Sequence, residues 1–328
     1  MQTLSQFQDL FYKYLAENQF ERNPTELYEP VRYIMNLGGK RMRPLLTLMA
    51  HSVFADDIEK SMPAAFAIEV FHNFTLVHDD IMDEAPLRRG KPTVHEHFSQ
   101  NHAVLSGDVM MIYAYHYLNQ TADKSLLGEL FTLFNKTAIE VCEGQQNDMN
   151  FETRENVSIE EYLQMIEYKT AVLLGCALQL GARIGGGSPE DAKHLYEFGR
   201  NVGLAFQMQD DILDTYGDPE KFGKRVGGDI VQNKKTYLVL RALQSDDTVS
   251  KKELQNWLKT ETNTPAAEAE KIEKVRGIFN RLKVKAAAEK LKNAYQQTAF
   301  EHLAAVNAPE ERKKVLRITA ENLLVREV

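Results

Sequence analysis

Cysteine is almost missing from this chain: Cys142 and Cys176 are the only two in 328 residues. That excludes a disulfide framework and suits a reducing cytoplasm, with each thiol read as a small buried hydrophobe. No run of eighteen apolar residues occurs, and the first residues lack a basic stretch followed by an apolar core. Neither an integral membrane segment nor a signal peptide is therefore expected. Positive charge is also short, with 39 Lys and Arg against 47 Asp and Glu and a net charge of −8. Such a balance argues against a nucleic-acid partner bound through bulk electrostatics, while leaving room for a local basic site. There is no strand-rich region, no internal repeat and no low-complexity tail. What remains is an all-α protein with 43% hydrophobic residues, enough for a sizeable core and for one or two domains by length.

Helical spacing of Leu4, Phe7, Leu10, Phe11, Tyr14 and Leu15 predicts an amphipathic helix that packs. A second, from Leu27 to Leu37, stops at Gly38-Gly39, and Pro44 is placed as the first residue of a third. Ser61 to Met82 reads as one long helix, ended by Pro86 and Gly90. Val104–Leu118 and Leu126–Cys142 follow, the latter leading into Glu143-Gly144-Gln145-Gln146-Asn147-Asp148, where Gln145 and Asp148, three apart, either face a common site or form a polar helix end. Ser158-Ile159-Glu160-Glu161 is a capping-box pattern that opens a helix with Lys169 on its apolar stripe. A lysine there either snorkels outward or reaches into an enclosed polar cavity. Gly185 to Gly187 form a turn, because no strand precedes them as a dinucleotide loop would require. From Tyr237 onward the chain is again helical, with a linker-like break at Thr262 to Ala266.

The chain is organised around two acidic clusters. Asp79, Asp80 and Asp83 stand at i, i+1 and i+4, so Asp79 and Asp83 lie about 40° apart on one helical face, and His72 joins that face about 20° from Asp79. Gln207, Asp210, Asp211 and Asp214 stand at i, i+3, i+4 and i+7, a polar stripe on an otherwise apolar helix. Like charges at these spacings repel by a few tenths of a kcal/mol per pair, about 0.2–0.5. A hard divalent cation with oxygen ligands is the obvious counter-charge.

Each acidic cluster has basic, glycine-containing loops for company. Lys40-Arg41-Met42-Arg43-Pro44 lies at a helix start and makes a plausible anion cradle. Arg88-Arg89-Gly90-Lys91 lies just beyond the first carboxylates, and Gly223-Lys224-Arg225 and Lys234-Lys235-Thr236 follow the second, as a lid over an anion would. Arginine forks grip phosphate oxygens bidentately, while carboxylates can hold the metal that neutralises the same phosphate.

These segments, GGKRMRP at 38–44, His72 with DDIMD at 79–83, LRRGKPTVH at 87–95, GQQND at 144–148, KT at 169–170, FQMQDDILD at 206–214, GKRVGGD at 223–229 and KKT at 234–236, resemble in content and order the trans-isoprenyl diphosphate synthases of the polyprenyl synthetase family. The resemblance implies one domain over residues 1–328, a helical bundle around a deep central cavity with 237–328 as its C-terminal helices. It further implies a homodimer with the isoprenoid synthase fold. It makes Asp79, Asp83 and Asp210 ligands of three Mg²⁺ ions, with Asp80, Asp211 and Asp214 ligating or holding metal-bound waters. Arg88, Lys169, Lys224 and Lys234 would contact the diphosphate of an allylic substrate (dimethylallyl, geranyl or farnesyl). Lys40, Arg43, His72 and Arg89 would bind isopentenyl diphosphate, while Thr170 and Gln207 would stabilise the allylic cation.

No convincing Ser/His/Asp or Cys/His arrangement occurs, and the implied chemistry requires no side-chain nucleophile. A class I terpene cyclase, a non-catalytic partner subunit and a protein that binds metal incidentally are the rival readings. The second complete acidic motif and the loop at Lys40–Arg43 speak against them. The implied gauge of product length is the residue five before the first aspartate, here Phe74, with Thr75 beside it. An aromatic there, with no insertion inside DDIMD, looks like geranylgeranyl synthases of the archaeal type, with farnesyl diphosphate as the alternative product and a longer chain as a further one.

Overall fold

The computed structural model describes residues 3–218 and 226–324. In chain order the helices are α1 (Leu4–Glu17), α2 (Thr25–Asn36), α3 (Met42–Ser52), α4 (Met62–Met82), the single turn α5 (Val94–His97), α6 (Gln100–Leu118) and α7 (Leu127–Thr153). Then come α8 (Ile159–Ile166), α9 (Val172–Ile184), α10 (Pro189–Tyr216), the short α11 (Gly228–Val231), α12 (Tyr237–Leu243), α13 (Thr248–Lys259), α14 (Pro265–Arg281), α15 (Val284–Ala305) and α16 (Glu310–Leu324). The all-α expectation holds. Among the described residues the only strands are Leu87–Arg88 and Lys91–Pro92, paired antiparallel across Arg89 and Gly90. Both turn residues have positive φ, 53° and 74°, the requirement of a tight two-residue hairpin turn.

Four local readings need correction. Helix α3 starts at Met42, so Pro44 is its third residue; the missing proline N–H costs nothing there because first-turn N–H groups have no intrahelical partner. Helix α7 runs on to Thr153, which puts the GQQND segment inside a helix. The capping box forms as expected, with Glu161 N donating to Ser158 Oγ at 3.1 Å and Ser158 N to Glu161 Oε2 at 2.9 Å. Beyond α8, however, the chain takes a π-helical turn at Glu167–Ala171 before α9. Finally, Cys176 is buried but Cys142 is exposed.

Packing divides the chain into two compact units. One comprises Met1–Thr137, Leu173–Tyr196 and Ala305–Thr319, the other Ala138–Val172, Glu197–Ala304 and Ala320–Val328. The core of the first centres on α4, whose run Ala64 to Phe71 is buried throughout, as a helix apolar on all sides must be. Phe66 packs on Phe11 of α1 and Phe71 on Phe134 of α7, with ring centroids 6.2 Å and 5.2 Å apart. The second unit gathers Tyr162, Met208, Leu238, Leu254, Val275, Ile278 and Phe279 into one cluster. Each acidic stripe therefore emerges from a helix whose other faces are held by apolar contacts. No helix among the described residues is long and apolar enough to cross a membrane.

Candidate active site

In the first unit α4 carries His72, Phe74, Thr75, Asp79 and Asp80, with Asp83 as its C-terminal cap. Asp83 N donates to the Asp79 carbonyl at 2.8 Å, so the i, i+4 relation of these two carboxylates persists to the helix end. Asp80 is different: it is buried, and Arg88 grips it bidentately, Nε to Oδ2 and Nη2 to Oδ1, both at 2.7 Å. The hairpin turn at Arg89-Gly90 brings Arg88 back onto the helix. Asp80 and Arg88, expected to hold metal-bound water and diphosphate respectively, thus pair with each other. Phe74 is nearly buried, its ring 5.5 Å from Phe71 and 4.9 Å from His78, and Thr75 Oγ1 donates to the His72 carbonyl at 2.8 Å.

The expected anion cradle is a pocket of about 170 Å³ lined by Lys40, Arg41, Met42, Arg43, Glu69, His72 and Arg89. Arg43 Nη1 donates to His72 Nε2 at 3.1 Å, and Arg89 donates to the Gly38 carbonyl. Burial, followed by the positive field of Arg43, Arg89, Arg88 and Arg41, holds His72 well below the usual histidine range. Burial likewise pulls the Arg43 guanidinium down to about 10. A neutral imidazole that accepts from arginine orients that arginine without opposing an incoming anion. Cations this closely packed call for one.

In the second unit α10 carries Gln207, Asp210, Asp211 and Asp214. Asp211 is buried, accepts from the Tyr162 hydroxyl and lies 3.5 Å from Gln207 Nε2. Burial, with the charge of Asp229, pushes Asp211 up to about 7 and Asp214 up to about 6. The Asp229 backbone N–H reaches Asp214 Oδ2 at 3.1 Å, and Lys234 Nζ lies 3.7 Å from Asp229 Oδ1. Lys169 and Thr170 ride on the π-helical turn, where Lys169 Nζ donates to Asp148 Oδ2 at 2.7 Å. Gly144 of α7 makes room for that turn: a Cβ there would stand 2.4 Å from Lys169 N. Lys224 lies outside the described residues.

Among the described residues no three carboxylate, imidazole or thiolate groups converge on a metal site made of protein ligands alone. Mg²⁺ commonly keeps several waters and takes one or two carboxylates plus substrate phosphates. Carboxylates at i, i+4, and a second set whose pKa values burial and the charge of Asp229 lift, fit an ion that arrives with a diphosphate.

Sequence reasoning missed Glu69, Tyr162 and Asp229 as members of these sites, and counted Arg41 only as one cation of a cradle. Glu69 had a signal, a lone carboxylate in the apolar run AAFAIEVF; Asp229 had another, the aspartate closing GKRVGGD. Tyr162 had none.

Helices bearing acidic stripes, with a cationic pocket beside the first and lysines beside the second, define an enzyme that handles diphosphates. The chain belongs to the polyprenyl synthetase family, whose model matches residues 24–275, and it is a prenyltransferase. Enzymes of that family are generally Mg²⁺-dependent and act on isopentenyl and allylic diphosphates. A short chain isoprenyl diphosphate synthase of Methanocaldococcus jannaschii is 43% identical over 70% of each chain. A geranylgeranyl diphosphate synthase of Saccharolobus solfataricus is 37% identical over 88% of this chain and 87% of its own. The crystal structure of a geranylgeranyl pyrophosphate synthase superposes over the whole of both chains, with a TM-score of 0.95 and 45% identity.

Proposed function

We propose that this chain condenses isopentenyl diphosphate with an allylic prenyl diphosphate, head to tail and trans, with residues 1–328 as one polyprenyl synthetase domain, and that its main product is geranylgeranyl diphosphate. The observation that carries this reading lies on α4. A cationic pocket around His72 and the acidic pair Asp79 and Asp83 share that helix, seven residues or about 10 Å apart along its axis. One anion bound through arginine and lysine, and another through carboxylate-held metal, is what joining two diphosphate substrates requires.

Lys40, Arg43 and Arg89 bind isopentenyl diphosphate, with His72 holding Arg43 in place. Asp79, Asp83 and Asp210 would hold three Mg²⁺ ions with the allylic diphosphate, and Asp211 and Asp214 would support them through bound water. Mg²⁺, when bound, neutralises the negative charge that develops as diphosphate leaves the allylic carbon. Lys169, Lys224 and Lys234 add fixed positive charge around the same leaving group. The Gln207 side-chain oxygen and the Thr170 oxygens would stabilise the allylic cation; the isopentenyl double bond attacks it, and a proton passes to the departed diphosphate. Phe74 closes the space for the growing tail. Its size is what keeps farnesyl diphosphate in view as a second reading.

The protein acts as a homodimer in this proposal. Leu105 and Ile112 stand 56% and 61% exposed on α6, an apolar stripe that a second copy would cover; a monomer mass by light scattering would count against it. Lys40→Ala tests the pocket assignment: the KM for isopentenyl diphosphate should rise more than that for the allylic substrate. Equal changes in both would mean that the two anions are assigned wrongly.

A further inference from the structure

Arg41 behaves unlike the other cations of its loop. Lys40 is exposed, whereas Arg41 is 4% exposed and extends into the first unit's core. Its Nη1 lies 2.5 Å from Glu69 Oε1, and its Nη2 donates to the Met35 carbonyl at the end of α2. Asn73, one turn beyond Glu69 and fully buried, donates through Nδ2 to Glu69 Oε1 and to the Glu69 carbonyl, both at 2.8 Å. The backbone of Arg41 is left-handed, with φ 49°. For a residue with a Cβ that conformation costs about 1–2 kcal/mol, and here it turns the side chain inward just before α3 begins.

Rigidity alone does not account for this arrangement. A buried ion pair is often no more stabilising than apolar residues of the same volume. This one also leaves Arg41 Nε and Asn73 Oδ1 buried without a protein hydrogen-bond partner, which carries a desolvation penalty. What the pair does achieve is geometric. It joins three segments that meet at the pocket: the end of α2 through Met35, the turn before α3 through Arg41, and α4 through Glu69. Lys40 and Arg43 flank Arg41 in sequence, and His72 follows Glu69 by three residues on α4, so these three polar groups around the pocket hang from this joint. Glu69 also offsets the charge of Arg41, leaving Lys40, Arg43 and Arg89 as the cations available to a ligand.

We infer that Arg41 and Glu69 are a positioning pair for isopentenyl diphosphate: buried in the wall of the pocket and spent on each other, they set the backbone from which Lys40 and Arg43 reach the anion. This rests on the reading of the pocket given above.

The test is the double variant Arg41→Met/Glu69→Met, which replaces the pair by apolar side chains of similar length. It is measured for thermal midpoint, kcat, and KM for each substrate. The expected result is a folded enzyme with a midpoint near that of the wild type. Its KM for isopentenyl diphosphate should be raised about tenfold or more and its allylic KM nearly unchanged, tenfold being about 1.4 kcal/mol of binding. Glu69→Gln keeps the shape and removes the charge, and should raise the same KM by a smaller factor; it decides the question if the double variant does not fold. Wild-type values of both KM in a folded double variant, or in Glu69→Gln, would overturn the inference. So would an equal rise in both KM, the signature of general loosening. Failure of the underlying reading looks different, because Lys40→Ala would then leave the KM for isopentenyl diphosphate unchanged whatever the double variant does.

Discussion

Gly144→Ala is a small change with a sharply defined consequence. The added methyl would stand 2.4 Å from Lys169 N, 2.8 Å from Tyr168 C and 2.9 Å from Lys169 Cα, whereas ordinary van der Waals contact begins near 3.4 Å. All three are backbone atoms, which cannot rotate aside, so α7 and the π-helical turn must separate by about 1 Å. Alanine is the better helix former by about 1 kcal/mol, but overpacking of this kind costs about 1–3 kcal/mol. The balance is a loss of about 0–2 kcal/mol in stability. Gly277→Ala is the matched control: it lies inside α14 with nothing within 4 Å of its added Cβ, and it should gain about 0.5–1 kcal/mol. Lys169 and Thr170 ride on the displaced turn, and a shift of about 1 Å in a positioning group can lower turnover by about 10²-fold. The assay is kcat at saturating concentrations of both substrates, with the thermal midpoint measured in parallel. If Gly144→Ala were stabilised like Gly277→Ala and kept wild-type kcat, the close approach at Lys169 would not govern activity.

Asp79→Ala and Asp210→Ala should each lower kcat by orders of magnitude with little change in circular dichroism or thermal midpoint, because in the proposed mechanism each removes a metal ligand; normal turnover in either would contradict the metal clamp. Phe74→Ala should lengthen products by one or more five-carbon units, read by chromatography of the dephosphorylated alcohols, at a stability cost of about 3–5 kcal/mol or less; a folded, active variant with unchanged products would remove Phe74 as the gauge. His72 makes stability depend on pH. Its folded pKa lies well below 6.5, so below about pH 6.5 the unfolded chain binds a proton that the fold resists, and stability falls as pH falls. Asp211 and Asp214, pushed up to about 7 and about 6, act with the opposite sign, since the fold takes up their protons before the unfolded chain does. His72→Gln isolates the histidine. Denaturant unfolding should show wild type losing stability relative to this variant between about pH 7.5 and about pH 5.5, and a pH-independent difference would refute the neutral imidazole.

Much of the two clusters was legible because helical periodicity is local. The spacing of Asp79 and Asp83, and of Gln207 through Asp214, needs nothing from the rest of the chain, and the capping box at Ser158 was found for the same reason. The π-helical turn was not legible, since its only visible cause is the close approach of Gly144, twenty-five residues from Lys169. The pairing of Arg88 with Asp80 depends on a two-residue hairpin turn in which Arg89, not only Gly90, takes positive φ. Propensity does not assign that conformation to arginine. Tyr162 meets Asp211 across 49 residues of sequence, and no pattern within α8 distinguishes it from a core tyrosine. Arg41 looked like one more cation of a basic loop. Only its buried contact with Glu69 separates it from Lys40 and Arg43.

The central claim is that this chain elongates an allylic diphosphate by isopentenyl units in a metal-dependent reaction. Incubation with Mg²⁺, labelled isopentenyl diphosphate, and dimethylallyl, geranyl or farnesyl diphosphate in turn, followed by chain-length analysis, tests it most directly. The expected result is a labelled twenty-carbon trans-prenyl diphosphate from each primer, lost when Mg²⁺ is chelated. No labelled elongated product from any primer would contradict the account, and a cyclic hydrocarbon in its place would assign the site to a cyclase.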